Sequence, residues 1–370
     1  MSRPDFIPAP LAQIPWRVVL TVLAIGGFGL VVLYSAAGGH LRPWALPQGV
    51  RFVVFLAGAI VISRVPEWVW RRCALPAYAV LMVMLVLVEL IGAVRGGGQR
   101  WLGVGPFQLQ PSEFMKPCIV LAVATFYDIL PPSETRRFVA VWVPAVMILL
   151  PAVLIAHQPD LGTALMVAGS GVIVMFLAGV PLRLFVAGAL GLAVAAPLAV
   201  NFVLHGYQRD RILTFLNPQR DPLGMGYHIN QSEIAIGSGG ILGKGFLNGT
   251  QSHLDYLPEG HTDFVFATMA EEWGLIGGVI LIIAFLSVIL WGIKVALNAQ
   301  TRFARLTAAG LASTIFFYVA INMAMVMGLA PVVGIPLPLV SFGGSAQMTV
   351  LLCLGMLMSI DRQNRLAQRR

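Results

Sequence analysis

The chain has 370 residues, of which 58% are hydrophobic and only 11% are charged, and its mean hydropathy is +0.84. A soluble domain carries about 25% charged residues, so this composition excludes a soluble globular protein and predicts a polytopic membrane protein. The net charge of +8 is explained by membrane topology rather than by nucleic-acid binding, and three scattered cysteines provide neither a disulfide framework nor a zinc motif.

Ten apolar segments approach the length of about 20 residues that a helix needs to cross a bilayer. We therefore predict an all-α fold with about ten transmembrane helices, in which one membrane-embedded domain occupies residues 1–370. A long polar loop, about 205–262, separates the seventh and eighth helices. The first segment follows a proline-rich stretch, which indicates a retained helix rather than a signal peptide. The predicted segments are 17–36, 50–64, 74–94, 112–129, 139–156, 161–180, 183–204, 264–293, 306–329 and 345–360.

The distribution of basic residues orients these segments. An even number of spans puts both termini on one side, and most of the 24 lysines and arginines fall on that side. Loops rich in lysine and arginine remain cytoplasmic. We therefore predict that both termini are cytoplasmic and that the long loop lies outside, where ATP is not expected.

Charged and aromatic residues flank the outer ends of the early helices. Arg51 lies at the outer end of the second helix, and Arg100 and Trp101 precede the fourth. A guanidinium group and an aromatic face suit a phosphate and a sugar. Glu113 and Lys116 are three residues apart, so they share a helix face and can pair, either to bind substrate or for structure alone.

Two polar residues stand at predicted helix starts. Ser112 precedes the apolar part of the fourth helix, and Asp160 precedes that of the sixth. Ser and Asp are favoured helix N-caps, so we predict that Ser112 is a cap. For Asp160 a cap and a substrate contact are both open.

The long loop contains GSGGILGKG at residues 237–245. The phosphate-loop pattern requires glycine at position 238 and Ser or Thr after the lysine, but the chain has Ser238 and Gly245 there, which excludes a nucleotide site. Backbone N–H groups and Lys244 could still approach a pyrophosphate. The alternative is a flexible, turn-rich segment.

Four potential metal ligands cluster near the end of the loop: His253, Asp255, His261 and Asp263. None has the two-histidine spacing of a helical zinc site, so we predict no tightly bound structural metal. A hard divalent ion such as Mg²⁺ or Mn²⁺, shared with a ligand's pyrophosphate, fits oxygen donors better.

Asp263 is the sharpest catalytic candidate, because it lies where the polar loop enters the eighth predicted helix. The alternative is that Asp263 or Thr262 is only a helix N-cap. The helix dipole favours an ionised carboxylate, the state that a general base needs. Glu271 is predicted to point within a quarter-turn of Asp263, and Glu272 to point away. Both glutamates could equally be buried structural acids.

These polar groups converge on the outer face of a lipid-lined bundle, which suits a substrate with an anionic head and a lipid tail. Five motifs together resemble the SEDS family (shape, elongation, division, sporulation), over about residues 17–361. The resemblance is closer to its rod-shape elongation branch, RodA, than to its division branch, FtsW. The motifs are QRWLGVGPFQLQPSEFMK, HQPDLGTAL, NPQRDPLGMGYHINQSEIAIGSGGILGKG, LPEGHTDFVFATMAEEWG and PLPLVSFGGSAQ.

The resemblance implies a peptidoglycan glycosyltransferase of the bacterial inner membrane that polymerises lipid II, the undecaprenyl-pyrophosphate-linked disaccharide-pentapeptide. The implied partners are a class B penicillin-binding protein and other proteins of the elongation complex. The family's essential loop aspartate corresponds to Asp263, its Glu and Lys pair to Glu113 and Lys116, and its helix-start aspartate to Asp160. Phe342 stands where the family frequently has Tyr, with no expected chemical consequence.

The resemblance leads to an inverting mechanism with Asp263 as general base toward the acceptor sugar's 4-hydroxyl. Arg100, Lys116 or a divalent cation would offset the charge of the leaving group; no cofactor is required with certainty. Two alternatives remain, a lipid II flippase and a non-catalytic scaffold for cell-wall synthases. The full set of predicted substrate-binding residues is Arg51, Arg100, Trp101, Glu113, Lys116, Asp160, Lys244, His261, Thr262 and Glu271.

Overall fold

The computed structural model describes residues 13–95, 98–104, 107–135, 137–202, 209–210, 213–215, 217, 224–254, 256–257 and 259–368. Each of the ten predicted apolar segments falls on a helix. The helices are α1 (Trp16–Ala36), α2 (Ala45–Ile62), α3 (Glu67–Ile91), α4 (Pro111–Ile129), α5 (Val139–His157), α6 (Leu161–Leu177), α7 (Leu182–Phe202), α8 (Met225–Gly239), α9 (Thr250–His253), α10 (Val265–Leu297), α11 (Arg302–Val326) and α12 (Gly344–Gln368).

Seven of these helices are long and apolar enough to cross a membrane: α1, α2, α3, α5, α10, α11 and α12. Of the other predicted spans, α6 is apolar but has only 17 residues, and α4 carries charged side chains at Glu113, Lys116 and Asp128. The predicted all-α membrane fold is confirmed. The number of ten spans stays a prediction.

Helix α4 lies at the centre of the bundle. It packs against α3, α5, α6, α11 and α12, and its residues from Met115 to Thr125 are all buried. By contrast, only 17% of the most apolar 18-residue stretch of α3 is buried inside the protein, and only 28% of the corresponding stretch of α5. A helix that is apolar on all sides yet largely uncovered is typical of a lipid-facing span. The charged residues of α4 therefore face the protein interior, not lipid.

A small antiparallel sheet connects α3 to α4. Its strands β1 (Ala93–Arg95), β2 (Gly98–Val104) and β3 (Phe107–Leu109) pair in sequence order. This sheet was not predicted, because strands this short leave no signal in a hydropathy profile tuned to spans of about 20 residues. It corrects the all-α prediction only outside the helical bundle.

The predicted polar loop also contains regular structure, which corrects its description as a loop. Helix α8 packs against α10, and the short α9 follows. At the end of α8 a Cβ on Gly239 would lie 2.1 Å from the carbonyl oxygen of Ala270, so only glycine allows this approach. The glycines that lowered the helical signal are thus the residues that let α8 dock.

Helix α10 is interrupted at Gly274, where φ is +64° and ψ is −163°. Only glycine readily adopts this conformation. The carbonyls freed by the break accept hydrogen bonds from the segment after α8: the N–H of Lys244 donates to Glu271 O and that of Gly245 to Glu272 O, both at 3.0 Å. The glycine-rich motif is therefore an ordered clamp on a broken helix, not a flexible turn.

Substituting Gly274 with Ala should destabilise the protein. The new Cβ would lie 2.4 Å from the backbone nitrogen of Gly243, and the strained backbone alone costs about 1–3 kcal/mol. Thermal unfolding of the purified chain measures the loss. Gly58→Ala is the matched control, because Gly58 is helical with no atom within 4 Å of the new Cβ, and should be neutral or stabilising by up to about 1 kcal/mol. Equal melting temperatures for the two variants would contradict the clamp.

Candidate active site

Asp263 lies just outside the start of α10. The helix begins at Val265, and Phe264 occupies its N-cap position without a capping side-chain hydrogen bond. The hydroxyl of Thr262 bonds to the carboxylate of Glu259, so the prediction that Thr262 occupies the N-cap position is wrong. For Asp263, which precedes the N-cap residue, a capping role and a catalytic role both stay predictions. The Asp263 side chain is half-buried, and its Oδ2 lies 3.4 Å from the position of a Cβ on Gly334, in the segment between α11 and α12.

Asn322 of α11 fixes the backbone at Asp263. Its side-chain NH₂ donates to the carbonyl oxygen of Asp263 at 2.8 Å and to that of Ile335 at 2.7 Å. Because both acceptors are carbonyls, the amide can have only this orientation. Its Oδ1 is buried and meets no donor among the described residues. Asn322 thus ties together the two segments that flank the Asp263 carboxylate.

An aromatic stack covers the same region. The His261 ring stacks on Trp44, with ring centroids 4.0 Å apart and an angle of 9° between the planes. The backbone oxygen of His261 accepts a hydrogen bond from the N–H of Phe342 at 2.9 Å. Arg51 lies over the Phe342 ring, 5.3 Å from its centroid. Burial lowers the pKa of His261, an effect that the nearby Glu259 partly opposes, so the ring is neutral at neutral pH.

Glu113 and Lys116 form the predicted pair, with Lys116 Nζ 2.5 Å from Glu113 Oε1. Both are almost completely buried, and Tyr318 of α11 completes the cluster. The Tyr318 hydroxyl donates to Glu113 and accepts from Lys116 Nζ at 2.8 Å. A charged pair this deep is stable only when its remaining hydrogen bonds are satisfied, and Tyr318 satisfies them.

The buried pair and Asp263 are connected through α11. Tyr318 and Asn322 are four residues apart and therefore share a helix face, separated by about 6 Å along the axis. The first contacts Glu113 and Lys116, and the second holds the backbone of Asp263. Neither residue was among those predicted from the sequence. The available signal was the pair of polar side chains four residues apart in the otherwise apolar run FFYVAINMAM.

Asp160 caps α6, as one of the two alternatives predicted. Its Oδ1 accepts from the N–H of Thr163 at 3.2 Å, and its Oδ2 accepts from Gln110 Nε2 at 3.2 Å. Ser112 is not a cap, because α4 begins at Pro111 with Gln110 in the N-cap position. Proline is favoured at the first helical position, which moves the helix start ahead of the serine.

Arg100 and Trp101, both predicted to bind substrate, lie on β2 of the small sheet but have different environments. The Arg100 guanidinium donates to the backbone carbonyls of Gln158, at 3.3 Å from Nε, and of Pro159. It thereby holds the turn before α6. Trp101 is half-buried on β2 opposite Ala93. Arg100 is thus engaged with the protein itself, next to Asp160.

Lys244 and Glu271 bind each other rather than Asp263. Lys244 Nζ lies 2.7 Å from Glu271 Oε1, and the backbone N–H groups of Thr250 and Gln251 donate to the same oxygen at 2.8 and 2.9 Å. These bonds anchor α9 to α10. The roles of Lys244 and Glu271 in substrate binding stay predictions.

The predicted directions of Glu271, within a quarter-turn of Asp263, and of Glu272, opposite to it, stay predictions, but the two carboxylates end close to each other. A Cβ on Gly249 would lie 3.1 Å from Glu271 Oε2 and 3.2 Å from Glu272 Oε1, so both carboxylates flank the same loop. Glu272 also accepts from the Ser35 hydroxyl. Long side chains can curl around a helix, so the angle between two Cβ atoms does not fix where carboxylates end.

No group of three or more His, Cys, Asp or Glu side chains within the described ranges is arranged to hold a metal ion. Of the four potential ligands in the sequence, His253 bonds to the backbone oxygen of Ser35 at 2.8 Å, and Asp255 lies outside the described residues. A divalent ion shared with a substrate pyrophosphate stays a prediction.

Sequence and structure comparisons agree on the relatives of this chain. The family model of FtsW, RodA and SpoVE cell cycle proteins matches residues 15–366. The peptidoglycan glycosyltransferase MrdB of Escherichia coli K12 is 42% identical over 351 residues, 94% of each chain. Stage V sporulation protein E of Bacillus subtilis is 37% identical over 370 residues, 94% of this chain and 96% of the relative.

Two solved structures share the fold. A chain of a peptidoglycan synthase complex, solved to describe coordination of polymerization and crosslinking, superposes with a TM-score of 0.82 at 32% identity, covering 95% of this chain and 98% of the other. The rod shape determining protein RodA of Thermus thermophilus gives a TM-score of 0.72 at 27% identity, covering 98% and 99%.

Proposed function

The chain belongs to the family of FtsW, RodA and SpoVE cell cycle proteins, and from this premise we propose how it works as a RodA-type peptidoglycan glycosyltransferase with Asp263 as general base. The proposed activity is the polymerisation of lipid II into glycan strands during cell-wall elongation, and it is supported by a relative named as a peptidoglycan glycosyltransferase and by the similar chain of a peptidoglycan synthase complex. The observation that carries the catalytic assignment is that Asn322 fixes the backbone of Asp263, whose side chain is half-buried at the start of α10.

The reaction is a single displacement. Asp263 accepts the proton of the acceptor sugar's 4-hydroxyl as that oxygen forms a bond to the donor's anomeric carbon. The bond from that carbon to the pyrophosphate oxygen breaks, and undecaprenyl pyrophosphate leaves with the electron pair. No covalent enzyme intermediate is needed, so the anomeric configuration inverts, by analogy with inverting glycosidases.

Arg51 is the cation best placed to meet the leaving pyrophosphate. Lys116 and Arg100 are already bonded to protein groups. The exposed Arg51 guanidinium stacks on Phe342 and forms no hydrogen bond or ion pair with the described residues, so its donors are available for bidentate phosphate binding. A Mg²⁺ or Mn²⁺ ion could share this role. In either case the negative charge of the leaving pyrophosphate is neutralised beside Asp263.

A lipid-linked substrate also needs a path for its tail. Between α1 and α2 lies an open apolar groove of about 690 Å³, lined by residues such as Leu30, Ala45 and Val53. Helix α2, which forms one wall of this groove, also carries Arg51 and the buried Gln48. This arrangement supports binding of a polyprenyl chain in lipid while its head group enters the site.

The distribution of buried charge disfavours the flippase alternative. The buried charged side chains in the described part of the chain are Glu113, Lys116, Asp160, Glu271 and Glu272. All belong to the end of the bundle that contains Asp263. Translocation of a charged head group requires polar groups through the full bilayer, and the opposite half offers none that is both charged and buried in the described ranges.

The protein is a membrane protein, and we place it in the bacterial inner membrane with both termini in the cytoplasm. Asn248 lies in the segment between α8 and α9, Gln300 follows the C-terminal end of α10, and both are exposed polar residues. With Cys73 replaced by Ser, Asn248→Cys should react with a membrane-impermeant thiol reagent in intact spheroplasts, and Gln300→Cys only after lysis. The reverse pattern would overturn the topology and the mechanism.

The solved relative within a peptidoglycan synthase complex supports a partner that cross-links the product strands. We assign this role to a class B penicillin-binding protein, within a larger elongation complex. The function is tested by supplying labelled lipid II to the purified chain, alone and with such a partner. Polymer is expected, and its absence under both conditions would refute the proposed activity.

Asn322 provides a test of the positioning of Asp263. Asn322→Ala should lower polymerisation about 10–100-fold, because a small misplacement of a catalytic group has effects of this size. Asn364→Ala is the matched control: Asn364 is also buried and donates to a backbone carbonyl, that of Val295 at 3.1 Å, at the far end of the bundle. Both variants should lose similar stability, and only the first should lose kcat. Equal activity in both would contradict the positioning role.

A further inference from the structure

A second cavity lies at the end of the bundle opposite Asp263. It has a volume of about 550 Å³ and is formed where α1 begins and where α10 and α12 end. Its walls include two tryptophans, Trp16 and Trp291, and three cations, Arg17, Lys294 and Arg365. Nothing in the proposed glycosyl transfer uses this cavity.

The cavity has an excess of positive charge. Arg365 is paired with Asp361 at 2.6 Å and donates to the backbone oxygen of Gln13 at 2.7 Å. Arg17 and Lys294 are exposed, and neither forms an ion pair within the described ranges. Asp361 is the one acidic residue of the lining. Asp361 also interacts electrostatically with Lys294, so a single carboxylate faces three cations and the described lining keeps an excess of positive charge.

Helix dipoles explain only part of this arrangement. Lys294 and Arg365 lie near the C-terminal ends of α10 and α12, where the dipole favours cations. Arg17 is the second residue of α1, where the dipole disfavours a cation. An anion between Arg17 and Lys294 would satisfy both.

A separate apolar groove lies further along the same helix pair. About 10–15 Å further along α1 and α10, a groove of about 280 Å³ is lined by apolar side chains that include Ala24, Phe28, Ile280 and Ala284. Small residues on both helices keep the groove open. A charged opening at the helix ends followed by an apolar groove matches the shape of a phospholipid.

We propose that this cavity binds an anionic phospholipid of the leaflet that contains the chain termini. The phosphate would lie between Arg17 and Lys294, and one acyl chain would occupy the groove beside Ala24. Basic pockets between helices on the cytoplasmic side are suited to anionic head groups, and tryptophans such as Trp16 and Trp291, close to helix ends, are enriched at membrane–water interfaces. The site is independent of the proposed function, since it shares no residue with it.

Native mass spectrometry of the full-length chain, titrated with phosphatidylglycerol in detergent, tests the head-group site. Arg17→Gln/Lys294→Gln should weaken lipid binding roughly thirtyfold, about fivefold for each cation. Arg72→Gln is the matched control, because Arg72 also lies over a tryptophan, 5.2 Å from the Trp68 ring, but lines none of the described cavities. It should leave binding unchanged. Arg17→Lys/Lys294→Arg keeps both charges and should retain the lipid.

Two further arms identify what is bound. Ala24→Phe fills the groove and should weaken phosphatidylglycerol binding while leaving both cations intact. Phosphatidylethanolamine and inorganic phosphate should bind at least tenfold more weakly than phosphatidylglycerol. Equal binding of phosphatidylethanolamine would overturn the head-group role, equal binding of inorganic phosphate would overturn the lipid, and unchanged binding by the double Gln variant would overturn the site.

Discussion

Replacing Asp263 with Asn is expected to lower glycan polymerisation by about 10²–10⁴-fold, the contribution of a positioned general base. Asparagine keeps the size of the side chain and its hydrogen-bonding capacity but cannot accept the proton of the sugar hydroxyl. The backbone bond from Asn322 to the Asp263 carbonyl does not depend on the side chain. The variant should therefore insert and unfold like the wild-type protein.

Glu259→Gln is a matched control for this substitution. Glu259 is a carboxylate of the same loop that bonds to the Thr262 hydroxyl, and it is exposed. Its amide variant should keep most of the activity. If both amide variants lost activity equally, loop structure rather than proton transfer would explain the effect of Asp263→Asn.

The second large effect is expected at Lys116. Lys116→Ala leaves the Glu113 carboxylate buried without its cation, and breaking a buried pair in this way costs about 3–5 kcal/mol. Thermal unfolding and polymerisation should both suffer. The swapped variant Glu113→Lys/Lys116→Glu should recover part of the loss, because the Tyr318 hydroxyl can both donate and accept.

Arg137 and Glu134 form the control pair. They have the same three-residue spacing, with 2.9 Å between Arg137 Nη1 and Glu134 Oε1, but the arginine side chain is 69% exposed. Exposed pairs contribute about 0–1 kcal/mol, so Arg137→Ala should have little effect on stability. Additive effects of the two single substitutions at Glu113 and Lys116 would show that these groups do not act as a pair.

Local patterns in the sequence predicted those structural features that depend only on residues close together in the chain. Hydropathy over about 20 residues located ten of the twelve helices given above, and the spacing of Glu113 and Lys116 predicted their ion pair. Asp160 caps its helix because that role needs only the next three residues. The same patterns failed at Ser112 and Thr262, because the N-cap positions, Gln110 and Phe264, each lie two residues from the predicted ones.

The contacts that were missed join residues far apart in the chain. Asn322 bonds to Asp263 across 59 positions, and Tyr318 bonds to Glu113 across 205. No pattern in either segment specifies such a partner. Helix α8 was missed for a different reason: its glycines lower helix propensity, and only the close approach to α10 explains why they are there.

The central claim is that Asp263 removes a proton rather than binding substrate. It is tested most directly by measuring lipid II binding and single-turnover polymerisation on the same preparation of Asp263→Asn. We predict binding within about threefold of the wild-type protein and a polymerisation rate at least about 100-fold lower. Near-normal polymerisation, or a loss of activity matched by an equal loss of binding, would contradict the assignment.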